Sequence, residues 1–147
     1  IDFGSAKQFT NDESIKIDEQ MASAAFSPPE LLKMHFGKKS DIWSYGVVCY
    51  LVCIRKFFIE ANASQIFMNT DLNKLKIQIE NGITNLDNIF IPNNCNEQEK
   101  RLYLYPLNNI DLIKDFFRKI FIIDINKRPN TTQLLKHKLF NHIPLNN

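Results

Sequence analysis

Five short groups of residues along this 147-residue chain carry side chains that could bind a cation, pair charges or fix the backbone. In chain order they are Asp2-Phe3-Gly4, Ser27-Pro28-Pro29-Glu30, Asp41-Ile42-Trp43-Ser44-Tyr45-Gly46, Asp124-Ile125-Asn126-Lys127-Arg128-Pro129 and Gln133-Leu134-Leu135-Lys136-His137-Lys138-Leu139-Phe140. The carboxylate of Asp2 offers oxygen ligands of the kind that hard divalent cations accept. Glu30 and Arg128 carry opposite charges, and a buried charge without a partner is costly. The five groups therefore contain residue types that suit cation binding and charge pairing.

The cysteines and histidines do not add a metal site to this set. The three cysteines are an odd number and form no Cys-x-x-Cys pair, which argues against a zinc site or a disulfide framework and favours a reducing compartment. They are Cys49, Cys53 and Cys95. The histidines lack acidic or cysteine partners at ligand spacing, which indicates structural or surface roles. They are His35, His137 and His142.

The composition is that of a soluble globular domain. Apolar residues make up 44% of the chain, and the net charge of +2 is too small to favour a nucleic acid or an anionic membrane as partner. The longest apolar stretch, from Ile42 to Ile54, is shorter than the roughly 20 residues that cross a bilayer. We expect one domain and no membrane span.

The groups must be held by helices, and the first of these surround Glu30 and Asp41. A short helix is predicted from Glu30 to about His35, with Pro29 just inside its start. Ser40 or Asp41 can cap a second helix that runs to Cys53 and is apolar on nearly all sides. A helix without a polar face belongs in the interior of a domain.

Three further helices are predicted downstream. One carries apolar residues between 72 and 79 and ends at Asn81-Gly82. The clearest spans 110–121, where six apolar residues recur at helical spacing. The last starts at Asn130, has Gln133 as its capping-box partner, and directs Leu134 and Leu135 inward. Residues 1–27 are polar and indicate a loosely held segment after a short strand end. Because helices are predicted for most of the remaining chain, the predicted fold class is mainly α.

Together, the five groups resemble in type and order the C-terminal part of a eukaryotic-type protein kinase domain. The resemblance covers nearly the whole chain except the Asn-rich residues 84–107. It implies the helical C-terminal lobe of the protein kinase-like fold, as a truncated piece from which the N-lobe is absent. Within residues 1–147 it implies an activation segment at 2–30, a helical core at 31–83, an insertion at 84–107 and terminal helices at 108–142.

The resemblance assigns catalytic roles to the start of the chain. Asp2 matches the family's metal ligand, and Asp2-Phe3-Gly4 matches the motif that holds the metal ion of bound ATP. Phe3 is expected to pack into the core. Ser23 takes the position of the substrate-facing hydroxyl that bridges catalytic groups, which is typical of serine/threonine kinases and argues against tyrosine specificity.

Structural roles follow for the next three groups. Glu30 and Arg128 match the buried ion pair that ties the end of the activation segment to the helical core. Asp41, Trp43 and Gly46 match the anchor at the start of the long apolar helix. Asp41 either accepts hydrogen bonds from the catalytic-loop backbone, as in the family, or serves only as a carboxylate at a helix N-terminus.

The activation segment carries signs of how the kinase is regulated. Glu19 lies where many kinases place an activating phosphothreonine, and Lys7 lies where the family often keeps a basic residue for that phosphate. A Lys7–Glu19 pair would lessen dependence on phosphorylation, and two solvated charges are an equal alternative. Thr10 and Ser14 are candidate phosphorylation sites. The acidic substitution, together with Ser23-Ala24, is similar to calcium-dependent and calcium/calmodulin-dependent kinases.

The chain also departs from the family pattern. Ala22 replaces a usual Gly, Pro28 replaces the Ala of Ala-Pro-Glu, and Arg55-Lys56-Phe57-Phe58-Ile59 replaces Gly-x-x-Pro-Phe. The sequence contains no Gly-rich phosphate loop, no strand Lys with its paired Glu, and no His-Arg-Asp catalytic loop. ATP and Mg²⁺ are therefore expected only in combination with the missing lobe and loop, and these residues alone should be inactive.

Two functions stay open on the sequence. The first is a protein serine/threonine kinase that transfers the γ-phosphate of ATP to a protein substrate, and the intact Asp2-Phe3-Gly4 favours it. The alternative is a pseudokinase or scaffold that uses the fold to bind proteins, which the departures keep open. The expected partners are a protein substrate and ATP, and the expected location is cytoplasmic. The sequence does not decide the oligomeric state.

Overall fold

The computed structural model describes residues 6–9, 15–16, 24–59, 72–88, 98 and 109–141, and these are mainly helical, as predicted. The helices are α1 (Ser40–Ile54), α2 (Leu72–Thr84), α3 (Ile110–Ile120) and α4 (Thr131–Leu135). Shorter 3-10 turns occur at Ala24–Phe26, Pro29–Lys33, Asn85–Asn88 and Lys138–Phe140. None of the helices in these ranges has the length and apolar character needed to cross a membrane.

One small sheet joins the first part of the chain to the helices. Strand β1 (Ile15–Lys16) pairs antiparallel with β2 (His35–Phe36), so that Ile15 lies opposite Phe36 and Lys16 opposite His35. The polar character of residues 1–27 predicted a loosely held segment, and this pairing was not expected. Two residues are too few to show the alternation by which a strand is recognised.

The core forms where α1 packs against α3. The apolar side chains at helical spacing in α3 are buried, so the prediction for this segment is confirmed. They are Ile113, Phe116, Phe117 and Ile120, followed by Phe121. From α1, Trp43 and Val47 are fully buried against them. The rings of Trp43 and Phe121 lie 5.1 Å apart edge to face, and Phe58 stacks on Phe121 at 3.8 Å.

Helix α1 forms where it was predicted, but it runs from Ser40 to Ile54 and its N-terminal cap differs from the prediction. Neither Ser40 nor Asp41 caps it, because Lys39 is the N-cap residue and makes no side-chain cap. The hydroxyl of Ser40 is used elsewhere, as described below. One face of α1 is also exposed, at Tyr45, Val48 and Val52, so the helix is interior on only part of its circumference.

The C-terminal cap of α1 is Arg55, whose φ of 59° lies in the left-handed region. This is the position at which the sequence replaces the family's Gly. A left-handed conformation is unfavourable for a residue with a Cβ and costs nothing for Gly, which is why Gly is common there. Having Arg55 in place of Gly therefore costs backbone energy at this one residue.

Replacing Arg55 with Gly should raise the free energy of unfolding by about 0.5–1 kcal/mol, because the left-handed φ is then unstrained. The measurement is urea unfolding followed by circular dichroism. Lys56→Gly is the matched control, since Lys56 is an exposed neighbour that is not among the positive-φ residues and should lose stability as Gly. If both substitutions lower the free energy of unfolding, the left-handed φ of Arg55 does not measurably destabilise the protein.

Helix α2 continues through Asn81-Gly82 and ends only at Thr84, so the predicted end at Asn81-Gly82 is wrong. The reason is tertiary. A Cβ at Gly82 would lie 2.9 Å from Cζ of Phe58, so this glycine admits the Phe58 ring and does not end the helix. The next turn carries Leu86, which is buried in the core, so residues 85–88 pack with the domain.

The two shortest predicted helices are partly as expected. Pro29 does start a helix, but it is a 3-10 helix that ends at Lys33, and His35 lies in β2 instead. Asn130 caps α4 and forms the predicted capping box with Gln133, with both N···O distances at 2.9 Å. Leu134 is buried as predicted, whereas Leu135 is 67% exposed because it faces away from the core on this five-residue helix.

Candidate functional site

A buried ion pair joins the end of the predicted activation segment to the helices. Glu30 lies in the 3-10 helix Pro29–Lys33, and Arg128 lies just before α4. The Nη1 and Nη2 groups of Arg128 each donate to one carboxylate oxygen of Glu30, at 2.9 Å in both cases. The Arg128 side chain is 0% exposed and that of Glu30 is 10% exposed. This two-point geometry is the strongest form of a carboxylate–arginine contact.

Backbone carbonyls take up the remaining N–H groups of Arg128. Nη1 also donates to the carbonyl of Lys39 at 2.9 Å, while Nε and Nη2 donate to the carbonyl of Ile122 at 3.2 and 3.1 Å. A guanidinium has five N–H donors, and each has an acceptor here. The charge also lies 5.2 Å from the ring of Trp43, within range of a cation–π contact. Every N–H group of the buried guanidinium therefore has a hydrogen-bond acceptor within the chain.

Ser40 links this pair to the start of α1. Its Oγ donates to Oε1 of Glu30 at 2.6 Å and accepts the backbone N–H of Gly37 at 2.9 Å. Because the hydroxyl makes these two bonds, it is not available to cap the helix. On the same side, Nζ of Lys39 donates to the carbonyl of Asn126 at 2.9 Å. We name Glu30, Arg128 and Ser40 the anchor.

The residues just before the anchor are also fixed. Ala25, Ser27 and Pro28 are buried. Oγ of Ser44 donates to the carbonyl of Phe26 at 2.9 Å. Pro28 has φ −75° and ψ 159°, an extended conformation that suits proline. The replacement of the family's Ala by Pro28 is thus accommodated without strain.

Asp41, Trp43 and Gly46, which the resemblance assigns to the start of α1, have different surroundings. Asp41 is exposed in the first turn, where a carboxylate favours the positive end of the helix dipole. Trp43 is 0% exposed, and its indole N–H has no hydrogen-bond partner among the described residues. Gly46 faces α3 so closely that a Cβ there would lie 2.3 Å from Cγ2 of Ile120.

Most of the predicted catalytic and regulatory residues lie outside the described residues. They are Asp2, Phe3, Gly4, Thr10, Ser14, Glu19 and Ser23. Lys7 is described and is exposed. Its predicted pairing with Glu19 stays a prediction, because Glu19 lies outside the described residues. Within the described ranges, no three His, Cys, Asp or Glu side chains lie together as a metal site.

One polar pair has no counterpart in the sequence analysis. Asp115 of α3 contacts Nε2 of His137 through Oδ2 at 2.9 Å, and Nδ1 of His137 accepts the N–H of Leu139 at 3.2 Å. Since Nδ1 is the acceptor, Nε2 carries the proton and donates to Asp115. The same Oδ2 accepts Nζ of Lys119 at 2.7 Å. Hydrogen bonds from Lys119 and then His137 hold the pKa of Asp115 below its usual value.

This lowered pKa predicts how Asp115 contributes to stability as the pH changes. The ionised form is favoured in the folded state, so the contribution is present above the unfolded pKa of about 3.9 and disappears as the pH falls through the folded value. Asp115→Asn should lower the free energy of unfolding at neutral pH by at most about 1 kcal/mol, because the Asp115 side chain is 47% exposed. Urea unfolding should show the difference from wild type closing below about pH 4. An equal difference at both pH values would contradict this assignment.

The cysteines of α1 have no activated thiol. Cys49 and Cys53 are free and half-buried, and both lie against the core as predicted. Burial raises the pKa of each thiol. A raised pKa leaves less of the reactive thiolate at neutral pH, so these side chains are packing residues.

Known proteins with similar sequences are protein kinases, and several are named as serine/threonine kinases. The chain is 32% identical to human testis-specific serine/threonine-protein kinase 3 over 69% of this chain and 35% of that protein. It is 38% identical to the serine/threonine-protein kinase stk11 homolog of Dictyostelium discoideum, over 56% and 14% respectively. It is 25% identical to the carbon catabolite-derepressing protein kinase of Candida glabrata, over 95% of this chain and 22% of that protein. The chain thus spans about a third or less of these relatives.

The family comparison covers almost the entire sequence. The protein kinase domain model matches residues 1–140 of the chain. This match includes both members of the buried ion pair as well as α1 and α3, which build the core around it. The resemblance inferred from five short motifs therefore holds at the level of the family, and the chain belongs to the protein kinase family.

Proposed function

We propose that the chain is the C-terminal part of the catalytic domain of a protein serine/threonine kinase. The observation that carries the proposal is the buried Glu30–Arg128 pair, with two hydrogen bonds of 2.9 Å between its side chains. This pair fixes the end of the segment on which Asp2 and Ser23 lie. The serine/threonine kinases among its relatives support the choice of acceptor residue.

In this proposal the start of the chain contributes one metal ligand. Asp2 holds the Mg²⁺ that accompanies ATP, and the adjacent Phe3 and Gly4 complete the motif. The metal supplies charge neutralisation for the phosphoryl group during transfer. Asp2 lies outside the described residues, and the described part of the chain has no cluster of three metal-ligating side chains. The remaining ligands and most ATP contacts must then come from other parts of the kinase.

In this proposal Ser23 contacts the protein substrate. Its hydroxyl faces the acceptor residue of the protein substrate, between the metal-binding Asp2 and the anchor. The segment 2–30 is then the activation segment, and residues 31–83 and 108–142 are the helical platform below it. The range 84–107 is proposed as an insertion, and most of it lies outside the described residues.

The test compares the full-length protein that contains this chain with its Asp2→Asn variant. Purified protein is incubated with γ-labelled ATP and a peptide mixture, and the labelled amino acid is identified. We expect phosphoserine and phosphothreonine from the wild type, no transfer from Asp2→Asn, and unchanged transfer from the control Asp12→Asn. The 147-residue chain alone should transfer nothing, since it contains no His-Arg-Asp loop. Phosphotyrosine would contradict the proposed specificity, and an inactive wild type would favour a pseudokinase.

Regulation is proposed to resemble that of the calcium-dependent and calcium/calmodulin-dependent group. Glu19 would stand in for an activating phosphate by pairing with Lys7, which is exposed and therefore accessible to a partner. Glu19→Gln should then lower the activity of the unphosphorylated kinase, and Glu13→Gln is the control in the same segment. Equal activity of the two variants would remove the pair from the proposal. The half-buried, free thiols support a reducing, cytoplasmic location.

A further inference from the structure

The side chain of Ser44 connects the C-terminal end of the predicted activation segment to α1. Its Oγ donates to the carbonyl oxygen of Phe26 across 2.9 Å, in a partly buried contact between residues 18 positions apart. Phe26 closes the 3-10 turn Ala24–Phe26, which begins immediately after Ser23. A hydroxyl on the central helix therefore reaches the backbone three positions after the residue proposed to face the substrate.

The surroundings of this contact show why it matters for position. Ala25 is 2% exposed, and Phe26 is half-buried against the apolar core. Apolar burial keeps a turn on the surface of a helix but does not fix its orientation, because the hydrophobic effect is non-directional. A hydrogen bond is directional and holds a carbonyl at a set distance and angle. Ser44 provides such a directional contact to this turn.

The anchor alone would not supply that constraint. Glu30 is fixed by Arg128 and Ser40, but it lies after Pro28, on the far side of the turn from Ser23. Phe26 precedes the buried residues Ser27 and Pro28, and the anchor follows them. The Ser44 hydroxyl thus adds a hydrogen bond to the backbone on the Ser23 side of these two residues.

We propose that Ser44 is a positioning residue for substrate phosphorylation. It holds the carbonyl of Phe26 and thereby the turn Ala24–Phe26, which sets where Ser23 meets the protein substrate. The inference rests on the proposed kinase function. It adds a residue of α1 whose role is to orient the activation segment without touching the substrate.

The experiment uses the full-length kinase with the substitutions Ser44→Ala and Ser44→Thr. Loss of one hydrogen bond should lower kcat/KM for a peptide substrate on the order of 2- to 10-fold, with KM for ATP unchanged. Ser44→Thr keeps the hydroxyl and should restore activity. The control is Thr84→Ala, which removes a hydroxyl–carbonyl bond of the same 2.9 Å length, to Glu80, on the exposed side of α2. That variant should keep wild-type kcat/KM.

Hydrogen exchange supplies a second readout that does not need activity. The amides of residues 24–27 should exchange faster in Ser44→Ala and at the wild-type rate in Ser44→Thr. If Ser44→Ala lowers Tm but changes neither kcat/KM nor this exchange, Ser44 is structural and the inference is wrong. If the wild type itself transfers no phosphate, the proposed function fails, while the exchange rates still decide whether Ser44 holds the turn.

Discussion

Replacing Glu30 with alanine is expected to lower the free energy of unfolding by about 3–5 kcal/mol, the usual cost of breaking a buried ion pair. The guanidinium of Arg128 would stay buried at 0% exposure but lose both of its charged acceptors. Its hydrogen bonds to the carbonyls of Lys39 and Ile122 would remain, and both of these acceptors are uncharged. Ser40 would also lose the acceptor that lies 2.6 Å from its hydroxyl.

Thermal and urea unfolding followed by circular dichroism would measure this loss. Glu80→Ala is the matched control, because Glu80 makes an exposed ion pair with Lys76 at 3.9 Å and should cost less than about 1 kcal/mol. The double substitution Glu30→Leu with Arg128→Met removes both charges and should recover much of the lost stability. Equal stability of wild type and Glu30→Ala would refute the proposed role of the anchor.

Gly46→Ala is expected to destabilise the domain by about 1–3 kcal/mol, the typical cost of overpacking a core. The added Cβ would lie 2.3 Å from Cγ2 of Ile120, far inside contact distance, and 3.2 Å from Cε1 of Phe121, a tight contact. Helices α1 and α3 would have to move apart where the aromatic core is stacked. Alanine favours a helix over glycine by about 1 kcal/mol, so a net loss means that the clash outweighs this gain.

Two comparisons isolate the clash. Gly37→Ala places a Cβ 2.9 Å from Cδ1 of Ile125, the flexible end of a side chain, and should cost less. Ile120→Leu removes the Cγ2 methyl that meets the new Cβ, so Gly46→Ala combined with Ile120→Leu should lose less than the sum of the single losses. Additive losses would show that the Cγ2 methyl of Ile120 is not the source of the clash. A Gly46→Ala protein as stable as wild type would show that the helices can separate freely here.

Elements defined by local pattern were predictable from the sequence. Helix α3 carries apolar residues at helical spacing, and the capping box at Asn130 and Gln133 is a local signal that the structure reproduces. The errors arise where distant residues compete for the same group. Ser40 does not cap α1 because Glu30 takes its hydroxyl, and Gly82 does not end α2 because Phe58 packs on it.

The candidate site divides in the same way. Glu30 and Arg128 could be named because each lies in a recognisable motif, although they are 98 positions apart. The contacts from Ser44 to Phe26 and from His137 to Asp115 could not be named. A bond to a backbone carbonyl leaves no trace in residue type, and a pair 22 positions apart has no spacing rule.

The position of Trp43 makes the anchor visible to an optical measurement. It is the one tryptophan in the sequence, it is fully buried, and its ring lies 5.2 Å from the Arg128 guanidinium. Indole emission shifts to longer wavelength when water reaches the ring, and a nearby charge alters both its colour and its yield. In this chain, the fluorescence spectrum therefore reports on the region around one ion pair. Loosening of the proposed activation segment at Glu30 is therefore expected to change this spectrum before the helices themselves unfold.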